Sequence, residues 1–178
     1  MPELFAQIEV GPALLLLAAV RERAADLTPV WLGQVKPDLD TFFEQQFESP
    51  GIVGGFPWPP LTEATLAAKA RMGRANMGIL RLMNTLWASL VKPTGGNYGI
   101  SEARPDQYTR GTAVQSEGGR PYPLFHQLGF TVRQWGRAQF AEPKYVPPRV
   151  LVPDPFPQRY IDHWVGAIQR YITEGEAA

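Results

Sequence analysis

Apolar residues recur with helical spacing at both ends of this chain and alternate with polar ones through its middle. Residues 12–27 predict a first helix, with Pro12 at its start, where a missing backbone donor costs nothing. Its apolar run from Leu14 to Val20 stops at Arg21-Glu22-Arg23. That is far short of the about 20 apolar residues a membrane span needs. The acidic Glu3 and Glu9 also argue against a secretory leader, so a helix buried in the core is expected.

Thr28-Pro29 opens a second helical segment over about 29–48. Leu39, Phe42, Phe43, Gln46 and Phe47 form its inward stripe, and Pro37 is expected to kink or break it. Residues 49–60 form a loop ending in Pro57-Trp58-Pro59-Pro60. Thr62 then caps a helix over about 63–73, with Leu66, Ala67 and Ala70 inward and Lys69, Arg71 and Arg74 outward. A short helix from Ile79 to Leu86 is expected to pass into a strand at Trp87–Val91. Period-two spacing at 98–101 and 107–114, around Arg104-Pro105-Asp106, predicts a hairpin. A mobile excursion at 115–121, a short helix or turn at Leu124–Leu128 and a strand at Arg149–Val152 follow. An amphipathic helix at Phe156–Ile172 carries Tyr160, Trp164, Ile168 and Tyr171 on one side. The fold class is therefore α+β: N-terminal helices, a central antiparallel sheet with long loops, and a C-terminal helix packed on the sheet. The 178 residues make one domain, with a helical region at 1–48, a loop-rich sheet region at 49–155 and a final helix at 156–173.

Composition sharpens this picture. Eighteen prolines and seventeen glycines make up nearly a fifth of the chain, against roughly 12% in average usage. They cluster at 50–60, 93–105, 118–123 and 143–157, which predicts stiff extended loops of the kind that serve binding. Lys plus Arg equals Asp plus Glu at 17 each, unlike the basic excess of a dedicated nucleic-acid binder. Zero cysteines removes disulfides, thiolate nucleophiles and cysteine zinc sites.

Candidate chemistry is sparse. His126 stands in an apolar context and His163 beside Asp162, without metal-ligand spacing, so His126 reads as a structural histidine and His163 as a partly exposed helix residue. Asp38 and Asp40 near Glu44 resemble a carboxylate pair, yet they sit at a helix start where the helix dipole favours them. The glycine pairs lack a phosphate-loop context, and Ser89, Ser101 and Ser116 lack a nucleophile elbow. Residues 69–92 carry Lys69, Arg71, Arg74, Arg81 and Lys92 and no acidic side chain. That predicts a solvated or protein-facing basic face, with phosphate as the sharper alternative.

Five short signatures occur in fixed order: Trp58-Pro59-Pro60-Leu61-Thr62, with the basic helix Leu66–Arg74 after it; Ile79-Leu80 with Asn84-Thr85-Leu86; Gly111-Thr112; His126-Gln127-Leu128-Gly129; and Pro147-Pro148-Arg149. In this order they resemble the phage virion morphogenesis (tail completion) family over about residues 38–173. The glycine that family carries after the threonine is absent here, where Leu86 follows Thr85 directly, and the stretches 113–122 and 130–145 are longer. The resemblance implies a structural virion protein, not an enzyme and without cofactor or metal. It would form a ring, six-fold as the tails of such phages are, that joins or finishes the tail at its head-proximal end. The alternative is a head-completion adaptor or stopper of the head–tail connector. Implied partners are further copies of the chain, the neighbouring tail-terminator or tail-tube protein and connector proteins. DNA would pass through the ring without sequence-specific binding, and no membrane is involved. Localisation would be the virion tail or neck, and the host cytoplasm during assembly. Stiff loops lose little entropy on docking. Trp58, Pro59, Pro60, Trp87, Trp135, Pro147, Pro148 and Arg149 are thus the expected interface residues, and Lys69, Arg71, Arg74 and Arg81 the expected face toward phosphate or an acidic neighbour.

Overall fold

The computed structural model describes residues 11–116, 119–132 and 144–176. Helix α1 spans Gly11–Ala25. The next helical path is continuous but changes register: α2 at Thr28–Val30, a π-helical segment at Trp31–Val35 and α3 at Lys36–Glu48. Just before its entry the Asp26 carboxylate accepts the Thr28 N–H at 2.9 Å and is held below the usual carboxylate range by the Thr28 bonds. Pro37 neither ends the helix nor leaves a gap. The wider turn just before it makes the Lys36 N–H donate to Trp31 O, five residues back, which relieves the crowding a proline ring brings.

The inward stripe of α3 is as expected, with Leu39, Phe42, Phe43, Gln46 and Phe47 all buried. Against it pack Trp58, Leu86, Leu90, Val91 and Leu151, with Phe156 and, from the last helix, Tyr160 and Trp164 at the border. Phe42 is the hub: its ring lies 4.8 Å from Phe156 and 5.6 Å, edge-on, from Tyr160.

Helix α4 covers Glu63–Arg71, and Thr62 caps it as predicted, its hydroxyl accepting the Thr65 N–H. Neither the helix expected from Ile79 to Leu86 nor the strand expected at Trp87–Val91 is found in the following segment. Residues 79–84 form turns, and Thr85–Val91 is helix α5. Its buried residues Leu86, Ser89 and Leu90 have helical, not alternating, spacing, and Asn84 enters it in the left-handed conformation. Ser89 is fully buried and ties α5 to the hairpin through a 2.7 Å bond with the Thr112 hydroxyl.

Strands β1 (Gly99–Arg104) and β2 (Gln107–Thr112) pair antiparallel, Arg104 opposite Gln107, with Pro105-Asp106 as the turn. Helix α6 spans Tyr122–Leu128, and β3 (Phe130–Val132) pairs antiparallel with β4 (Lys144–Val146). Among the described residues the strands form two separate two-stranded ladders within an α+β fold. The strand expected at Arg149–Val152 is instead irregular backbone, and the strand in this region is β4. Helix α7, Gln158–Glu174, packs against α1, α2 and the π-helical segment. Its Trp164 indole N–H donates to Asp38 at 2.8 Å, and Trp164 shares a groove with Tyr108 of β2.

The first helix departs most from expectation. None of its residues is buried; Leu14, Leu15, Leu16 and Leu17 are 60%, 74%, 59% and 63% exposed. Its C-terminal end is fastened to α7, where the Arg23 guanidinium donates to Tyr171 O. Among the described residues no helix is long and apolar enough to cross a membrane.

Candidate functional site

Three of the five signatures meet at one point. The Trp58 indole N–H donates to Val150 O at 2.8 Å, and Gln46 Nε2 donates to the same oxygen at 2.9 Å. The Gln46 carbonyl oxygen in turn accepts the Gly54 N–H, fixing the glycine loop. One residue earlier, Arg149 N–H donates to His126 O at 2.6 Å, and its guanidinium reaches Pro59 O. One residue later, the Gln127 side chain accepts Leu151 N–H at 2.7 Å and Val152 N–H at 3.1 Å while donating to Val152 O. Val150 O, Leu151 N–H and the N–H and C=O of Val152 are thus served by side chains of α3, the tryptophan loop and α6, and Arg149 N–H by the backbone of α6. These bonds take the place of a ladder along this segment.

Close packing makes two glycines obligatory here. Gly51 has φ +84°, and a Cβ there would fall within 2.7 Å of the Trp58 indole nitrogen. Gly129, at φ +75°, ends α6 with the Tyr145 hydroxyl 2.7 Å from where a Cβ would stand.

His126 completes the cluster. Only 6% exposed, its ring meets Tyr122 edge-on at 4.6 Å and Phe130 at 5.5 Å, and neither ring nitrogen has a partner. Burial, reinforced by the Arg149 guanidinium, pushes its imidazole down to about 4. Burial raises the Tyr122 phenol and lowers the Arg149 guanidinium. The neutral imidazole thus stands between the Tyr122 and Phe130 rings and the Arg149 guanidinium.

Part of the basic run is turned inward, while Arg71 and Lys92 stay exposed. Lys69, expected outside, is 4% exposed and is the buried residue of α4, whereas Leu66, Ala67 and Ala70 are exposed. Its ammonium donates to Met77 O at 2.7 Å and Gly78 O at 2.6 Å, and burial lowers its pKa. Arg74 donates to Leu82 O, and Arg81 lies 4.8 Å over the Trp87 ring. These cations hold the 77–82 loop, in which Leu80 is kept at a left-handed φ of 61°. Arg71 is exposed.

The expected interface residues divide similarly. Trp58 is 6% exposed and packs edge-on against Phe47 at 5.4 Å, so it is a core residue and not a surface anchor. Arg149 is buried, Trp87, Pro59 and Pro147 are half-buried, Pro60 and Pro148 are exposed, and Trp135 lies outside the described residues. The excursion at 115–121 includes residues 117–118, which also lie outside them.

The acidic pair at the start of α3 fastens elements together. Asp40 pairs with Lys36 at 2.8 Å and with Arg110 of β2, whose guanidinium also caps α5 by donating to Leu90 O and Val91 O. His163 lies 3.2 Å from Gln34 and 3.6 Å from Asp38.

Two open apolar grooves flank Val152. One, of about 440 Å³, runs between Trp31, Phe43, Tyr108, Phe156 and Trp164. The other, of about 580 Å³, is bounded by Leu90, Thr112, Pro121, Leu124, Leu151 and Pro153. Among the described residues no three His, Asp or Glu side chains stand together as metal ligands. No protein family, curated protein or solved structure matches this chain.

Sequence reasoning found Gln46 as a member of the inward stripe but missed its role and that of Gln127. A glutamine in an otherwise apolar stripe is the available signal, since a buried amide must find partners.

Proposed function

We propose that this chain is a structural virion protein of a tailed bacteriophage. It is a tail completion or neck component that assembles as a ring and joins or finishes the tail at its head-proximal end. The observation that carries this reading is the convergence of the Trp-Pro-Pro, His-Gln and Pro-Pro-Arg signatures on the backbone around Val150. Residues scattered over a hundred positions of sequence act as one brace, which is the work a resemblance based on loop signatures calls for.

Two further features support it. Lys69, Arg110 and Asp38 each tie a loop or helix to its neighbour, which suits a protein that must present stiff loops to other subunits. The leucines of α1 present an apolar surface beyond what a lone monomer needs. The ring contacts copies of itself, the tail-terminator or tail-tube protein on one side and connector protein on the other. DNA passes without sequence readout, in keeping with the balanced charge. Imaging of the intact particle tests this: a ring of this chain at the head–tail junction is expected. Purified particles lacking the chain contradict the reading.

A further inference from the structure

The groove between the π-helical segment, α3, β2 and α7 differs in kind from the one beside α6. Its volume is about 440 Å³, and the half-buried rings of Trp31, Tyr108, Phe156 and Trp164 stand along it. Two hydrogen-bond donors of its lining residues have no acceptor among the described residues: Trp31 Nε1 and Arg110 Nη1. The Arg110 side chain is only 4% exposed. Its Nε and Nη2 are spent on Leu90 O, Val91 O and Asp40, so Nη1 is the corner of the fork left over. The other indole of the groove, Trp164, already donates to Asp38. Buried donors are as a rule paired, so two unpaired ones in one lining call for an acceptor that this chain does not supply.

Charge decides which acceptor fits. Arg110 and Lys36 share Asp40, while Asp38 and the exposed Asp106 add two further carboxylates. No net positive charge is left to hold a carboxylate or a phosphate, so a neutral carbonyl is the acceptor selected. The side-chain acceptors that the lining keeps free, on Asp106 and Gln107, are both at exposed positions of the hairpin turn. A segment lying along this groove therefore does best with carbonyl groups and without N–H groups. Proline meets both conditions: it has no backbone N–H, and an extended proline-rich strand makes no internal hydrogen bonds and keeps its carbonyls free. Its rings also suit an aromatic-lined groove.

We infer that this groove binds a proline-rich extended segment of another protein, with Trp31 and Arg110 donating to its carbonyl oxygens. Docking takes a side-chain adjustment of the kind common at interfaces, because neither nitrogen is open to water in the free chain. A second copy of this chain has no suitable tract to offer. Trp58 is buried between Pro57 and Pro59, Pro59 O accepts from Arg149, and among the described residues no two consecutive prolines are both exposed. The inference goes beyond the ring reading and does not depend on it.

The five tryptophan indoles report on this contact in the full-length chain. A deuterated, nitrogen-labelled sample is titrated with a synthetic oligoproline of about ten residues, its indole N–H signals having been assigned through bonds. The expected result is a saturable shift of the Trp31 signal, while the Trp58 signal, bonded inside to Val150 O, stays in place. A glycine–serine peptide of equal length gives no such shift. Trp31→Phe keeps the aromatic wall, removes the donor and weakens oligoproline binding about fivefold; the titration of the unaltered chain stands whatever the stability of that variant. An equal shift from the glycine–serine peptide overturns the inference, as does a Trp31 signal unmoved by millimolar oligoproline. A Trp31 signal that moves with protein concentration alone assigns the groove to a second copy and also overturns it. A signal moved by benzoate and not by oligoproline assigns it to a small aromatic acid, with the same consequence. None of these results bears on whether the ring forms.

Discussion

Trp58 and Val150 are 92 residues apart, yet the indole N–H of one lies 2.8 Å from the carbonyl oxygen of the other. Gln46 Nε2 donates to the same oxygen at 2.9 Å. This doubly served carbonyl joins α3, the proline-rich loop and the segment that leads to α7.

A shared acceptor predicts coupling. Trp58→Phe and Gln46→Leu each leave Val150 O with one donor, and each is expected to cost about 1–2 kcal/mol in urea unfolding. The double variant strands the carbonyl and should cost more than the sum by about 0.5–1 kcal/mol. Strict additivity would mean that the two bonds are not supporting one point.

Lys69 is predicted to matter far more than its neighbour Arg71 on the same helix. Lys69→Met leaves Met77 O and Gly78 O without their charged donor and should lower stability by about 2–3 kcal/mol. Arg71→Met, at an exposed position, should stay within about 0.5 kcal/mol. Thermal melts of the two variants side by side decide this. Equal effects would return Lys69 to the surface.

His126 sets an acid limit. The unfolded chain takes up a proton at the ordinary value of 6.5, the folded chain only at about 4. The unfolded state therefore binds more protons between these values, and stability present above 6.5 is lost as pH falls toward 4. Allowing for partial screening by solvent, the loss is about 2 kcal/mol. Unfolding measured at pH 7, 5.5 and 4.5 should show this decline in the native chain and a shallower one in His126→Phe. Identical slopes would contradict the neutral, boxed imidazole.

The elements most legible in the sequence are those with strong local periodicity or turn chemistry. The Leu39–Phe47 stripe, the hairpin around Pro105-Asp106 and the final aromatic helix stand where expected. Helix α5 was obscured by its strand-favouring residues, Thr85, Trp87 and Val91, while burial at Leu86, Ser89 and Leu90 follows tertiary packing on α3. The Arg149–Val152 segment reads as a strand by composition, but its backbone partners come from residues 46, 58 and 127, a nonlocal fact that no local pattern carries. Lys69 was placed outside because a buried ammonium is rare, and its two carbonyl partners leave no side-chain signature. The leucines of α1 show the reverse: an apolar run expects burial, and among the described residues nothing covers them. Of the candidate site, the signature residues were legible and their joint role was not, since Trp58 and Arg149 brace the interior.

Self-assembly is the claim on which the functional account stands, and the mass of the full-length chain in solution tests it most directly. Light scattering coupled to size exclusion, over a hundredfold range of concentration, should reveal a closed species at a fixed multiple of 19.8 kDa, six copies in the ring proposed. A single 19.8 kDa species throughout would contradict it.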